Sequence, residues 1–398
     1  MKRLAHYLIL AAVLVGVPLA CCVLAGKKDI LDLVFTVAPK TEDWGSRPEL
    51  LWNCRKPFAW WAFAAVLGVI AAWAVPFAVR FAKAARGGKG AFLAKRCFPW
   101  WGWLGVAVLL GGWILAWTRF PWMPVACQRQ TYLPLWIGLI LIANALCFRR
   151  SGRSLLTHAT GPFLWSFPAS SLFWWFFEYL NRYVWNWYYV GIAGIGDVQY
   201  VIFATLSFAT VLPGIASVAA WLGTYRCFAP EAYVGMWRVN VRSPLSIAVL
   251  ALLSAYGLVG IVFIPEFAYP FLWISPLMVF VLVQVLLKER SVLDDLASGD
   301  WSLVFRFGIA ALVCGLCWET WNYWSLAKWI YAVPYVQRFQ VWEMPLLGFG
   351  GYLPFGMECA AVAAWLGLLR PRRGSGGCPR ATRCLRHGRI SPKLVRCR

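Results

Sequence analysis

Long runs of hydrophobic residues, separated by short polar segments, dominate this chain. Most runs contain about 20 residues, the length that an α-helix needs to cross about 30 Å of hydrocarbon. They do not alternate strictly between polar and apolar positions, as strands of a membrane barrel do. The pattern therefore predicts an all-α integral membrane protein with about ten transmembrane helices. The ten predicted spans cover approximately residues 7–26, 57–79, 99–118, 132–147, 163–183, 200–222, 245–264, 270–287, 303–323 and 344–370.

The first run has two interpretations. Lys2-Arg3, an apolar core and a small-residue end at 23–26 are typical of a secretory signal peptide. A multi-pass protein usually retains its first span, so we expect a membrane anchor. Cleavage after residue 25 would leave nine spans in the same orientation.

Composition and charge agree with a membrane protein and predict its orientation. Hydrophobic residues make up 61% of the chain and charged residues 14%, against about 25% charged in an ordinary soluble domain. Most of the 38 Lys and Arg residues fall on segments on the same side as the N-terminus, which predicts that both ends are cytoplasmic. The net charge of +22 follows the membrane edges and the tail, so we expect anionic membrane lipids as partners and no nucleic acid. The basic, acid-free segment 371–398 is predicted to be disordered.

A carboxylate and an amide recur with the same spacing in two apolar segments. Glu178 and Asn181 in the first segment match Glu319 and Asn322 in the second, at an offset of 141 residues. Other matches follow in the same order along the chain. They are Pro213 with Pro354, the string VAAWLG at 218–223 and 362–367, Leu135–Ile137 with Leu272–Ile274, and Arg150-Ser151 with Arg290-Ser291.

These matches predict a duplicated four-helix unit. The first copy would cover 99–223 and the second 244–367, after an N-terminal part, 1–98, with two helices and an outer loop. Because four is even, both copies enter the membrane from the same side. The copies should then be related by an axis along the membrane normal.

The paired acids are the candidate catalytic residues. A carboxylate in hydrocarbon is costly and usually functional. An Asn three residues after each Glu lies on the same helix face, where its amide could donate to a carboxylate. If Glu178 and Glu319 meet, they would share a proton, which suits acid–base chemistry, a proton relay or a cation site. Alternatively, protonated Glu bonded to Asn181 or Asn322 clamps helices together. Glu358 is a third candidate acid.

Aromatic residues surround both acids. We expect Trp175, Tyr179 and Trp318 to line a substrate site together with Asn181 and Asn322. Such a wall could hold an isoprenoid or a polyene, or stabilise a cation by its ring faces. The alternative is an aromatic belt at the membrane interface.

No pattern predicts a metal or a cofactor. The chain has no phosphate-binding loop and no HExxH motif, and its three His residues lie far apart in sequence. Cys314-x-x-Cys317 could be a redox pair, but apolar packing explains it better. Asp294, Asp295 and Asp300 suit a solvated loop.

The segments WETWNYW at 318–324 and WEMPLLGFGGYLPFGMEC at 342–359 resemble stretches of a family of uncharacterised bacterial polytopic membrane proteins. The resemblance covers about residues 115–367 and implies a bacterial inner-membrane location, but no activity. Three functions remain open. They are an enzyme acting on a lipid or isoprenoid through Glu178 and Glu319, a proton- or cation-coupled transporter or channel, and a structural or assembly protein.

Overall fold

The computed structural model describes residues 2–35, 56–86 and 96–369. The predicted tail at 371–398 and most of the first outer loop, including Cys54, lie outside these residues. The described chain is mostly helical. Its N-terminal part and first half contain α1 (Lys2–Leu24), α2 (Lys28–Phe35), α3 (Trp60–Arg86), α4 (Trp100–Trp117), α5 (Val125–Arg129), α6 (Tyr132–Ser151), α7 (Leu155–His158), α8 (Thr160–Val184), α9 (Asp197–Phe208) and α10 (Val211–Leu222). Its second half contains α11 (Pro244–Phe263), α12 (Pro265–Ala268), a 3₁₀ turn (Tyr269–Trp273), α13 (Ser275–Leu286), α14 (Ser302–Tyr323), a 3₁₀ turn (Leu346–Gly351) and α15 (Tyr352–Trp365).

Local sequence signals explain where several of these helices begin and end. The Ser243 side chain accepts a hydrogen bond from the backbone N–H of Ser246, and Pro244 occupies the first turn of α11. Helix α6 ends at Gly152, whose φ of 72° is a left-handed conformation that glycine adopts without strain. These signals fix the helix ends independently of the apolar runs between them.

Seven helical segments of the described chain are long and apolar enough to cross a membrane. The segments Pro265–Trp273 and Ser275–Leu286, bent by 56°, would form an eighth span together. The protein is therefore a multi-pass membrane protein. Two of the ten predicted spans fall on α1 and α8, which are not among these segments. In α8 the reason is visible, because buried polar residues, including Ser170 and Arg182, lower its hydropathy.

Matching helix pairs are in contact in the two halves. Helix α4 packs on α6, α6 on α10, and α8 on α10. In the second half, α11 packs on α13, α13 on α15, and α14 on α15. Helices α10 and α14 connect the halves, while α1 lies against α11 and α13.

Glycines permit the closest of these helix contacts. A Cβ on Gly138 of α6 would lie 2.8 Å from the carbonyl oxygen of Gly105 in α4. A Cβ on Gly356 of α15 would lie 2.4 Å from the carbonyl oxygen of Phe307 in α14. Small residues at such positions let helix backbones approach closely in a membrane.

Short strands supplement the expected all-helical fold. Strand β1 (Trp187–Val190) follows α8 and pairs antiparallel with β2 (Lys328–Tyr331), which follows α14. Two further strands, β3 (Gln340–Val341) and β4 (Met344–Pro345), form a second small pair. The apolar run predicted to begin a span at residue 344 thus starts with a strand and a 3₁₀ turn, and its helix begins at Tyr352.

The β1–β2 pair has a symmetric register. Trp187 lies opposite Tyr331, and Tyr189 lies opposite Trp329. Each strand therefore contributes a Trp and, two residues later, a Tyr. Just beyond the pair, Gly191 has a φ of +75°, and a Cβ there would lie only 1.9 Å from the carbonyl oxygen of Leu326. Only glycine fits where these two segments of the chain approach each other.

Candidate functional site

Asn181 ties the end of α8 to strand β1. Its Nδ2 donates to the carbonyl oxygen of Trp187 at 2.8 Å. Its Oδ1 accepts from the backbone N–H groups of Asn186 at 2.8 Å and Trp187 at 3.4 Å. Trp185 turns the chain between helix and strand with a φ of 53°. The amide therefore pairs with Trp187 as a neighbouring strand would.

Asn322 makes the same connection in the second half. Its Nδ2 donates to the carbonyl oxygen of Trp329 at 2.8 Å, and its Oδ1 accepts from the N–H of Trp329 at 2.9 Å. We expected Asn181 and Asn322 to donate to the carboxylates. They bind backbone instead, because the chain reverses directly after each helix and leaves peptide groups that need buried partners.

The Glu178 carboxylate accepts three hydrogen bonds from aromatic residues. Its Oε1 accepts from the Tyr189 hydroxyl at 2.6 Å, the Trp187 indole at 3.0 Å and the Trp174 indole at 3.2 Å. The residue is only 4% exposed. The buried Arg182, one turn further along α8, interacts electrostatically with this carboxylate. Glu178 thus lies among several donors and near a positive charge.

The Glu319 carboxylate is fully buried and has a different environment. Its Oε1 accepts from the Tyr331 hydroxyl at 2.6 Å and the Tyr352 hydroxyl at 3.0 Å. Its Oε2 has no hydrogen-bond partner within the described part of the chain. No Lys, Arg or His nitrogen of the described residues forms an ion pair with it.

No hydrogen bond joins Glu178 to Glu319 in the described ranges. Each carboxylate binds aromatic residues of its own half, and the rings of Trp174 and Trp318 pack with their centroids 4.7 Å apart. The proton-sharing pair that the sequence suggested is therefore not formed here. The tyrosines of β1 and β2 provide the hydrogen bonds that the carboxylates would otherwise need from each other.

A cavity of about 840 Å³ lies beside these residues, and we call it the central cavity. Its lining is mostly apolar, with helices α3, α13 and α15 contributing to the walls. The lining includes Trp318 and Asn322 but none of the three candidate acids. The hydroxyl-bearing Tyr189, Tyr331 and Tyr352 do line it. Aromatic members of the wall also include Trp174, Trp187, Trp273, Trp329 and Phe355. The carboxylates of Glu178 and Glu319 therefore bind tyrosines that face the cavity.

The other candidate residues lie elsewhere. The Trp175 indole donates to Thr205 of α9 at 3.0 Å. The Tyr179 hydroxyl donates to the carbonyl oxygen of Val15 in α1 at 2.7 Å. Glu358 is buried in α15, and neither of its oxygens has a hydrogen-bond partner within 3.5 Å among the described residues. None of the three lines the central cavity.

The strand residues that complete the site were not among the candidates from sequence. A signal for them existed, because Trp-x-Tyr at 187–189 recurs at 329–331, just after each Glu-x-x-Asn motif. The recurrence is offset by 142 residues rather than 141, since the second connecting segment is one residue longer. The apolar runs end before these residues, so hydropathy alone assigns them to loops.

The strand tyrosines remain protonated hydrogen-bond donors. Burial, reinforced by the negative charge of the neighbouring glutamate, raises the pKa of Tyr189 and that of Tyr331 well above the usual value. Each phenol therefore keeps its proton near neutral pH and donates it in a hydrogen bond to Glu178 or Glu319.

Neither a metal cluster nor a relative identifies the site. The described residues contain no group of three or more His, Cys, Asp or Glu side chains that could hold a metal ion. Cys314 and Cys317 are free thiols in α14. Comparison with protein-family models, with curated proteins and with solved structures finds no match for this chain.

Proposed function

We propose that the chain forms ten spans in a bacterial inner membrane, with both ends cytoplasmic and two parallel four-helix units. The two spans beyond the eight already described would be α1 and α8, whose 23 and 25 residues are long enough at about 1.5 Å per residue. The matching helix contacts and the symmetric register of β1 and β2 support the duplication.

This topology is tested by labelling Cys127, which is exposed between α4 and α6. In a Cys54→Ser background, a membrane-impermeant thiol reagent should modify it in intact spheroplasts, and its replacement by Ser should remove that signal. Labelling only after permeabilisation would reverse the orientation.

We further propose that the protein is a membrane-embedded enzyme that binds a lipid or an isoprenoid in the central cavity. The observation that carries this proposal is a cavity of about 840 Å³ with aromatic walls and tyrosine hydroxyls bound to buried carboxylates. This volume lies within the about 300–1,000 Å³ typical of ligand sites, and the apolar lining suits a hydrophobic chain.

The chemistry would be acid–base chemistry through Glu–Tyr pairs. Tyr189 and Tyr331 each stand between a carboxylate and the cavity. A phenol in this position can take a proton from a substrate while it passes its own proton to the carboxylate that accepts its hydrogen bond. Glu319 is the stronger candidate, because no ion pair with a described cation stabilises its anion and it would take up that proton more readily.

A deletion strain provides the test. Mass spectrometry of its lipids should show a substrate that accumulates or a product that disappears. Wild-type protein should restore the profile, whereas Glu319→Gln and Tyr331→Phe should insert into the membrane without restoring it. Full restoration by the Glu178→Gln, Glu319→Gln double variant would exclude acid–base chemistry at these residues.

One observation favours a structural function as the second candidate. Neither carboxylate lines the cavity, and each holds a strand onto its helix. Under this hypothesis both Gln variants restore the profile and only Ala variants fail. A transporter is less well supported, because Arg129 and Lys328 are the sole charged residues in the described lining of the cavity.

A further inference from the structure

One end of the central cavity is polar, although the rest of its lining is mostly apolar. Arg129 and Gln130 precede α6, Asn186 follows α8, and Ser325 and Lys328 follow α14. Arg129, which donates to Ala193, lies beside the Val190–Lys328 end of the β1–β2 pair, whereas Asn186 lies before its other end.

The two cations at this end differ in their partners. The Lys328 Nζ donates to Glu343 at 2.5 Å, so its charge has an internal counterion. Arg129 forms no ion pair with any described acid. One of its terminal nitrogens donates to the carbonyl oxygen of Ala193 at 2.8 Å, while its buried Nε has no hydrogen-bond partner in the described chain. A guanidinium thus faces an apolar cavity with an unused donor.

Three more groups of the lining have buried polar atoms without a partner. Trp318 is 6% exposed, and its indole N–H donates to no described acceptor. The Tyr132 hydroxyl and the Oδ1 of Asn186 are likewise without a partner among the described residues. Buried polar atoms are normally hydrogen-bonded, so four unsatisfied side chains around one cavity indicate a ligand with polar atoms of its own.

The donor types define that ligand. The Arg129 Nε and the Trp318 Nε1 are donors only, and the Tyr132 hydroxyl can donate as well, whereas the free atom of Asn186 is an acceptor. A group rich in acceptor oxygens would satisfy the donors, and a negative charge would balance Arg129. Guanidinium binds phosphate and carboxylate especially well. The apolar remainder of the cavity requires that this group be attached to a hydrophobic chain.

We propose that the central cavity holds an amphiphile with an anionic phosphate or carboxylate headgroup bound at Arg129, Tyr132 and Trp318, the last two of which have ring centroids 6.0 Å apart. This inference rests on the proposed function and names the class of lipid that the same site binds. The hydrophobic chain would extend from the polar end between the apolar walls of α3, α13 and α15.

Two ligands that differ only in their headgroup provide the test. Full-length protein in phosphatidylcholine nanodiscs is titrated with farnesyl monophosphate and with farnesol, and tryptophan fluorescence reports binding. Wild-type protein should bind the phosphate at least ten-fold more tightly. Arg129→Gln should weaken phosphate binding by about ten- to a hundred-fold and leave farnesol binding unchanged, because it removes one charge-assisted contact.

Two control variants separate this loss from damage to the fold. Arg119→Gln removes a cation that binds the carbonyl oxygens of Ala116 and Trp324 and does not line the cavity, so the headgroup preference should remain. Arg129→Lys keeps the charge without the planar fork and should retain part of the preference.

The possible outcomes separate the two proposals. If wild-type protein binds both ligands equally, or Arg129→Gln keeps the preference, the headgroup site is wrong while the lipid cavity stands. If neither ligand binds, the proposed function itself fails. Competition by inorganic phosphate alone, with no binding of farnesol, would indicate a site for the free anion and overturn the amphiphile.

Discussion

The two Glu-x-x-Asn motifs hold their strands in the same way but differ around their carboxylates. In both, Asn pairs with the backbone of a Trp, and the Tyr two residues later donates to the Glu. Glu178 then receives two indole N–H groups and lies near Arg182. The position that matches Arg182 in the second motif is Tyr323, and Glu319 instead accepts a hydrogen bond from the Tyr352 hydroxyl.

This comparison separates two properties of the site. What the two motifs share, the amide–backbone pairing and the Tyr–Glu hydrogen bond, attaches a strand to a helix end. What differs, the neighbouring charge and the unsatisfied Oε2, decides how readily each carboxylate takes up a proton. The anion of Glu178 is favoured by Arg182, whereas no cation of the described residues pairs with Glu319.

The largest difference is expected when the acids are removed. Glu178→Ala leaves three donors without an acceptor and Arg182 without its neighbouring anion, whereas Glu319→Ala leaves two hydroxyls. At about 1–3 kcal/mol for each unsatisfied group, both should be strongly destabilising and Glu178→Ala more so. Thermal unfolding in detergent measures this, and equal losses would mean that Arg182 and the indoles contribute nothing.

The amides should show a smaller difference in the same direction. Asn181 makes three hydrogen bonds to backbone and Asn322 makes two, so Asn181→Ala should cost more than Asn322→Ala, each on the order of 1–3 kcal/mol. Unfolding of both variants is compared with the matching Asp substitutions, which keep the acceptor and lose the donor. If the Asp variants are as stable as wild type, the Nδ2 donor contributes nothing to stability.

The strand tyrosines should differ because Glu178 keeps more donors than Glu319. Tyr189→Phe leaves two indoles donating to Glu178, so its loss should be about 1 kcal/mol. Tyr331→Phe should cost more, because among the described residues it leaves only Tyr352 donating to Glu319 and also removes the acceptor of the Trp329 indole. A Tyr331→Phe, Tyr352→Phe double variant should lose more than the two single losses together, since it leaves the buried carboxylate without a donor. Additive losses of stability would show that neither tyrosine compensates for the loss of the other.

The smallest change in stability is expected when Gln replaces Glu178 or Glu319. The amide oxygen still accepts from the tyrosines, so both Gln variants should stay within about 1 kcal/mol of wild type, and Glu178→Gln should be the less stable because it removes the anion beside Arg182. Unfolding of Glu178→Gln in an Arg182→Gln background checks the cause. A loss that persists without the arginine would show that charge is not responsible.

Several features of the protein followed from sequence alone. Apolar runs of span length predicted helices in a membrane, because hydropathy and helix length act locally. The repeated Glu-x-x-Asn spacing identified residues that prove to be buried and equivalent in their hydrogen bonding. Helix α8 was predicted as a span but is not among the seven apolar segments. Its polar residues are buried within the protein, and a hydropathy average counts them as if they faced lipid.

The partners of the candidate residues were decided only by tertiary structure. Tyr352 reaches Glu319 across 33 residues of chain, and β1 meets β2 across about a third of the chain. A hydrogen bond of this kind depends on side-chain direction and on which helices pack together, and neither is encoded in residue spacing. The sequence therefore determined which residues are buried and polar, whereas tertiary packing decided that the acids bind tyrosines, that the amides bind backbone, and that an apolar cavity lies beside them.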